Sequence, residues 1–112
     1  MTTYITQGRF TSQAVAGILE RPEDRFNAVA ELMSASGGTL LDYYVTFGDY
    51  DFLLISENDS EQDVLAALLT VTSTGTVSDL RTVPALTSVE AKAVYEKAHD
   101  IRAEFKPLGG ED

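Results

Sequence analysis

The sequence predicts an α+β domain built on one sheet. Three observations carry that reading. Strand-like alternation and helix-like spacing follow one another in the order strand, helix, strand, strand, helix, strand, helix. Phe47-Gly48-Asp49-Tyr50-Asp51 lies between the apolar runs Leu40 to Val45 and Phe52 to Ile55, and a Gly-Asp pair in that setting signals a tight hairpin turn. The two strands flanking that turn are apolar in part on both faces.

Taken in order, Thr2 to Phe10 alternates loosely around Tyr4, Ile5 and Phe10 and is the first strand. Thr11 or Ser12 caps a helix, in which Ala14, Val15, Ile18 and Leu19 recur at helical spacing. Arg21-Pro22 interrupts the pattern, and Pro22 suits the first turn of a second helix better than a helix interior. Phe26, Val29, Ala30 and Met33 resume the spacing. Thr11 to Ser36 is therefore one helical region, broken or kinked near Pro22 and ended by Gly37-Gly38.

Thr39 to Thr46 is the second strand and Tyr50 to Ser56 the third. Strict alternation puts Leu41, Tyr43, Val45 and Phe47 on one face of the second, and Leu40, Asp42, Tyr44 and Thr46 on the other. On the third it sets Asp51, Leu53 and Ile55 opposite Tyr50, Phe52 and Leu54. Asn58-Asp59-Ser60 leads into a helix whose stripe is Val64, Ala67, Leu68 and Val71. Its Thr-rich last turn should fray before Gly75. Val77 to Leu86 is the fourth strand, and Pro84 marks an edge or a strand end. Thr87-Ser88-Val89-Glu90 is a capping box opening a long helix, with Val94, Ala98, Ile101 and Phe105 as its buried stripe. Residues 1–106 form one domain, and 107–112 a flexible tail.

The first six elements match the split βαββαβ arrangement of the ferredoxin-like fold, with an extra C-terminal helix. A sheet that is apolar on both faces must be covered on both. The chain's helices cover one. A second copy is the most economical cover for the other, so a homodimer or higher homo-oligomer through the sheet face is expected.

Composition narrows the function classes. The chain has 112 residues and a net charge of −10. Its eight basic residues are scattered, which argues against nucleic acid or an anionic membrane as partner. There is no cysteine, so disulfides, thiolate metal sites and a cysteine nucleophile are excluded. No run approaches the roughly 20 apolar residues of a membrane helix, and Met1 to Phe10 has no signal-peptide pattern. A cytoplasmic location is the default expectation. No histidine spacing for a metal and no phosphate-binding glycine pattern is present, so no cofactor or metal is expected.

With Gly48-Asp49-Tyr50-Asp51 in place at the central hairpin, the chain resembles the GYD domain family, named for a Gly-Tyr-Asp motif there. Asp49 stands between the glycine and the Tyr50-Asp51 pair. Thr3-Tyr4 opening the first strand, Phe10-Thr11 at its end and Gly37-Gly38 before the second strand add to the resemblance, which covers roughly residues 1–105. It implies a subunit of the dimeric α+β barrel type, with two sheets packed face to face. It implies no particular reaction. The wider superfamily includes cofactor-independent oxygenases, isomerases, haem-binding enzymes and effector-sensing domains, and fold alone does not choose among them.

Six residues are candidates for a ligand site: Tyr4, Tyr44, Tyr50, Asp51, Arg81 and His99. Asp49 and Asp51 beside Tyr50 could split their pKa values and act as acid and base. Turn chemistry is the stronger reading, because alternation sends Tyr50 and Asp51 to opposite faces. His99 is the only histidine, on the last helix near Tyr95, where a boundary or exposed position is the simpler reading. Arg81 with tyrosines could clamp a carboxylate or enolate, against a plainer role in a surface pair with Asp79 or Asp42. Of Tyr43 and Tyr44, one belongs in the core and the other meets a pocket or a dimer partner. These readings favour a homodimeric protein that binds a small hydrophobic ligand or a partner. A small cofactor-independent isomerase, cyclase or oxygenase acting on a hydrophobic carbonyl compound is the alternative, with Tyr4, Tyr44, Asp51 or His99 moving protons. A structural subunit whose sheet face mediates assembly is a third reading.

Overall fold

The computed structural model describes residues 1–109. Its elements are β1 (Thr2–Phe10), α1 (Ser12–Glu20), α2 (Phe26–Ala35), β2 (Thr39–Val45), β3 (Phe52–Asn58), α3 (Glu61–Ser73), β4 (Val77–Ala85) and α4 (Ser88–Arg102). The strands form one antiparallel sheet in the order β2-β3-β1-β4. This is the ferredoxin-like arrangement, with the first helix in two pieces and α4 added at the end. Of the tail expected at 107–112, residues 110–112 lie outside the described residues.

Period-two alternation divides the sheet into two unlike faces. On one, Tyr4, Thr6 and Gly8 of β1 and Phe52, Leu54, Ser56 and Asn58 of β3 are buried. Leu40, Phe52 and Leu54 form the centre of the core there, packed by Phe26, Val29 and Met33 of α2, by Tyr43 of β2 and by Leu80 of β4. On the other face, Ile5, Leu53, Ile55, Tyr44 and Val83 are half-buried or exposed, and no described element covers them.

Strict alternation fails on β2. The β2–β3 register shifts between Leu40 and Asp42, so Leu40 opposes Ser56 and Tyr43 opposes Leu54. Ser56 and Leu54 share the covered face, so Leu40 and Tyr43 do too. Leu41 is the extra residue of a bulge, which a two-residue repeat cannot reveal. A second bulge lies on β4, where Asp79 takes φ 53°, a conformation aspartate tolerates better than most residues.

Pro22 does not open α2. The helix begins at Phe26, and Asp24 Oδ1 accepts the Phe26 N–H at 2.9 Å. Residues 21–25 are a short irregular link, because the residue before a proline is pushed out of helical geometry. At the other end of α2, Gly37 takes φ 86°, and Gly38 N–H donates to Met33 O at 2.8 Å while Gly37 N–H donates to Ser34 O at 3.0 Å. This pair is the Schellman closure the glycines predicted. The Thr-rich end of α3 is helical through Ser73. Hydroxyls of Thr70, Thr72, Ser73 and Thr74 donate back to carbonyls of the preceding turn at 2.6–2.8 Å.

The largest departure is α4. Its capping box forms as expected: Glu90 N–H donates to Thr87 Oγ1 at 3.1 Å, and Thr87 N–H donates to Glu90 Oε1 at 2.9 Å. The stripe predicted to be buried is not. Val94, Ile101 and Phe105 are 50%, 58% and 69% exposed, and Phe105 lies beyond the helix, which ends at Arg102. α4 projects from the sheet, so the chain is 66 Å long with a radius of gyration of 18.6 Å, against about 13 Å for a compact chain of this size.

One close approach organises the core. Gly8 faces the Phe52 ring, and a Cβ there would lie 2.5 Å from Phe52 Cζ and 2.6 Å from Leu80 Cδ2. The missing side chain lets Phe52 cross β1 and meet Phe10, with ring centroids 5.2 Å apart. Gly8→Ala must displace one of those side chains. It should lower unfolding free energy by about 1–3 kcal/mol, measured by denaturant unfolding.

Candidate functional site

The acidic segment after β2 is a strap rather than a tight two-residue turn. Residues 46–51 connect β2 to β3, and Gly48 takes φ 136°. Phe47 is 99% exposed at the tip. Below the tip the segment is fixed to the end of β1. Asp51 N–H donates to Gly8 O at 2.8 Å, and Phe10 N–H donates to Asp51 Oδ2 at 2.9 Å. The β1–β3 ladder ends at the Gly8–Phe52 pair, so the Asp51 carboxylate extends it by one bond that no β3 backbone carbonyl supplies. Arg9 Nε donates to Asp49 O at 2.8 Å, and its guanidinium lies 5.9 Å from the Tyr50 ring centroid. Thr46 closes the base, bonding Asp51 O through its N–H and Tyr50 O through its hydroxyl, both at 2.8 Å.

The other four candidates are dispersed. Tyr4 is buried on the covered face. Tyr44 stands 54% exposed on the open face of edge strand β2. Arg81, opposite Gln7 on the other edge strand, is exposed on that same open face. His99 is on the projecting helix, its Nδ1 3.5 Å from Asp100 Oδ1. The shallow depression around it, formed by Lys92, Tyr95, Glu96, His99 and Asp100, sits on one helix face and encloses nothing. No single cavity gathers these six residues. Among the described residues no group of three His, Asp or Glu could hold a metal.

A concave site does exist, centred on Tyr43. The β2 bulge turns this residue inward, where it is half-buried and lines the cavity, while Tyr44 takes the open face and stands exposed. Beneath Tyr43 lies an apolar cavity of about 60 Å³, walled by Phe10, Val29, Phe52, Val71, Val77 and Leu80 among others. It adjoins a groove of about 380 Å³ between α1, the 21–25 link and the sheet, with Ile18, Arg21, Glu23 and Arg25 at its rim. Phe10, Val29, Tyr43, Val71 and Val77 line both spaces. Arg25 Nη1 donates to Glu23 Oε1 at 2.7 Å. The Tyr43 hydroxyl makes no hydrogen bond among the described residues. Burial raises its pKa above the ordinary 10.0; Arg25 opposes that shift and Asp24 adds to it.

The arrangement suits a ligand with an apolar body and one polar end. The body fits against Phe10, Ile18 and Val29. The phenol can donate to a carbonyl or carboxylate oxygen; Arg25, paired with Glu23, is the cation whose charge reaches it, and Arg21 lines the same groove. Sequence reasoning did not single out Arg21 or Arg25. The signal was the Arg21-Pro22-Glu23-Asp24-Arg25 run itself, a dense charged break between two apolar helical stretches.

A sequence model of the GYD domain matches residues 4–95. The chain belongs to the GYD domain family. A search of curated proteins returned no match. Among solved structures, a protein from Thermus thermophilus is similar at 16% identity and a TM-score of 0.51, covering 79% of this chain and 96% of that one. A transcriptional regulator from Neisseria meningitidis, solved as a complex with L-Met, is similar at 15% identity and a TM-score of 0.55; the match covers 79% of this chain and 51% of the regulator. At these identities the likeness shows a shared fold. No helix of this GYD domain is long and apolar enough, among the described residues, to cross a membrane.

The raised Tyr43 pKa has a definite sign. The folded state favours the neutral phenol, so that contribution to stability is complete below pH 10 and is lost as pH rises through the raised folded value. Titration followed by tyrosinate absorbance should show a late-ionising component in the parent that is missing in Tyr43→Phe.

Proposed function

We propose that this GYD domain protein is a homodimer that binds a small, largely apolar molecule in the Tyr43 groove. The observation that carries the reading is the incompletely filled interior. An apolar cavity adjoins a groove lined by Tyr43, Arg21 and Arg25, with Gln13, Glu23 and Thr76 as its other polar residues. Two features support the homodimer. Ile5, Leu53, Ile55 and Val83 form a continuous apolar surface on the open sheet face, and no described element of the chain covers it. A ferredoxin-like sheet of this kind is completed most simply by its own copy. The regulator from Neisseria meningitidis, which shares the fold, was solved with L-Met, and an effector-sensing role here would be in keeping with it. A binding role is also favoured over proton transfer by the dispersal of Tyr4, Tyr44, Asp51 and His99.

A thermal-shift panel of small hydrophobic carboxylates, ketones and amino acids tests the site. A ligand at a hundredfold excess over its Kd adds about 2.7 kcal/mol, which shifts Tm by several degrees. Ile18→Trp places an indole in the groove from its half-exposed rim and should abolish the shift. Tyr43→Phe should weaken binding about fivefold, the worth of one hydrogen bond near 1 kcal/mol. A shift that Ile18→Trp leaves intact places the ligand elsewhere. Sedimentation at micromolar concentration should give twice the mass of one chain, and a single-chain mass overturns the homodimer.

A further inference from the structure

α4 is a helix without a surface to pack on. A 15-residue helix is marginal in water by itself, so its stability has to come from tertiary packing. Its own body offers almost none. Yet it is patterned for burial. Val94, Ala98 and Ile101 follow one another at four- and three-residue steps, the spacing of one continuous stripe, and Phe105 follows just beyond the helix end at Arg102. The helix cannot easily turn back, because only Leu86 and Thr87 separate it from β4 and Thr87 is locked into the capping box.

Charge points to what covers it. Residues 1–87 carry twelve acidic and four basic side chains, a net of −8. Residues 88–106 carry four of each and so hold half of all the basic residues in the chain. Lys97 and Arg102 border the apolar stripe, and Glu90, held in the capping box, lies one turn before Val94. Two bodies of net −8 repel each other, whereas a neutral arm with basic residues beside an apolar stripe complements an acidic body that has an uncovered apolar face.

We propose that α4 is an exchange arm. In the homodimer each protomer lays its Val94–Ala98–Ile101 stripe, with Phe105 just beyond it, on the body of the other. The proposal rests on the homodimeric reading above and goes further by assigning α4 to the interface. Tyr44 on the open sheet face and Leu41 at the β2 bulge, both exposed in one chain, are apolar groups such an arm would meet.

Sedimentation equilibrium on three proteins tests this: the full chain, a chain ended at Thr87, and full-length Val94→Asp with Ile101→Asp. The expected result is a dimeric full chain and at least a tenfold weaker dimer for both variants, with their far-ultraviolet spectra still showing a folded body. The double variant guards against misfolding of the shortened chain, because its substitutions lie outside the body's core. If all three are dimers of equal strength, the arm proposal is overturned while the homodimer stands. If the variants lose thermal stability at unchanged mass, α4 packs on its own body and the proposal is equally overturned. A monomeric full chain removes the homodimer itself and the arm proposal with it.

Discussion

The Asp51 carboxylate at the end of β1 is the constraint on which the rest of the molecule depends. By accepting the Phe10 N–H it carries the β1–β3 pairing past the last backbone pair. That holds Gly8 opposite Phe52, and Gly8 is the one residue that lets the Phe52 ring cross the strand. Phe52 then meets Phe10 and Tyr43, with centroids 5.2 and 6.5 Å away. The core and the floor of the groove are thus set from one strap. The Arg9 contacts to Asp49 and Tyr50 hold the same strap from outside. Asp49, Tyr50 and Asp51 of the family motif all take part in these contacts.

The groove follows from two irregularities. The β2 bulge brings Leu40 and Tyr43 to the same face, so the tyrosine faces the helices rather than solvent. The 21–25 link then separates α1 from α2 and leaves Tyr43 partly roofed. A continuous helix over that span would have covered it. The same link supplies Arg21 and Arg25, so one break in the helix both opens the site and gives it charge. The deep end is a small apolar cavity of about 60 Å³, and the rim is charged and open, a gradient suited to orienting an amphipathic ligand.

Much of this is legible in the chain. The element order, the Gly37-Gly38 closure, the Thr87 capping box and the opposed faces of Phe52 and Leu53 all follow from local rules, and local contacts decide them. Tyr50 and Asp51 fall in the strap before β3, so the alternation read over them does not apply. What cannot be read depends on pairing between distant segments. The bulge at Leu41 is a mismatch between two strands, invisible in either alone. Tyr43 and Arg25 are far apart in sequence and meet only once α2 is seated. The α4 stripe says that the helix needs an apolar surface, but periodicity does not say whose.

The strap account is tested most directly by unfolding Asp51→Ala and Asp51→Asn beside the parent. Asparagine keeps an oxygen for the Phe10 N–H, and alanine removes it. The account predicts a loss of roughly 1–3 kcal/mol for Asp51→Ala, and a clearly smaller loss for Asp51→Asn. An Asp51→Ala protein that unfolds at the parent's denaturant midpoint would contradict it, and would return Asp51 to the pool of residues free to act on a ligand.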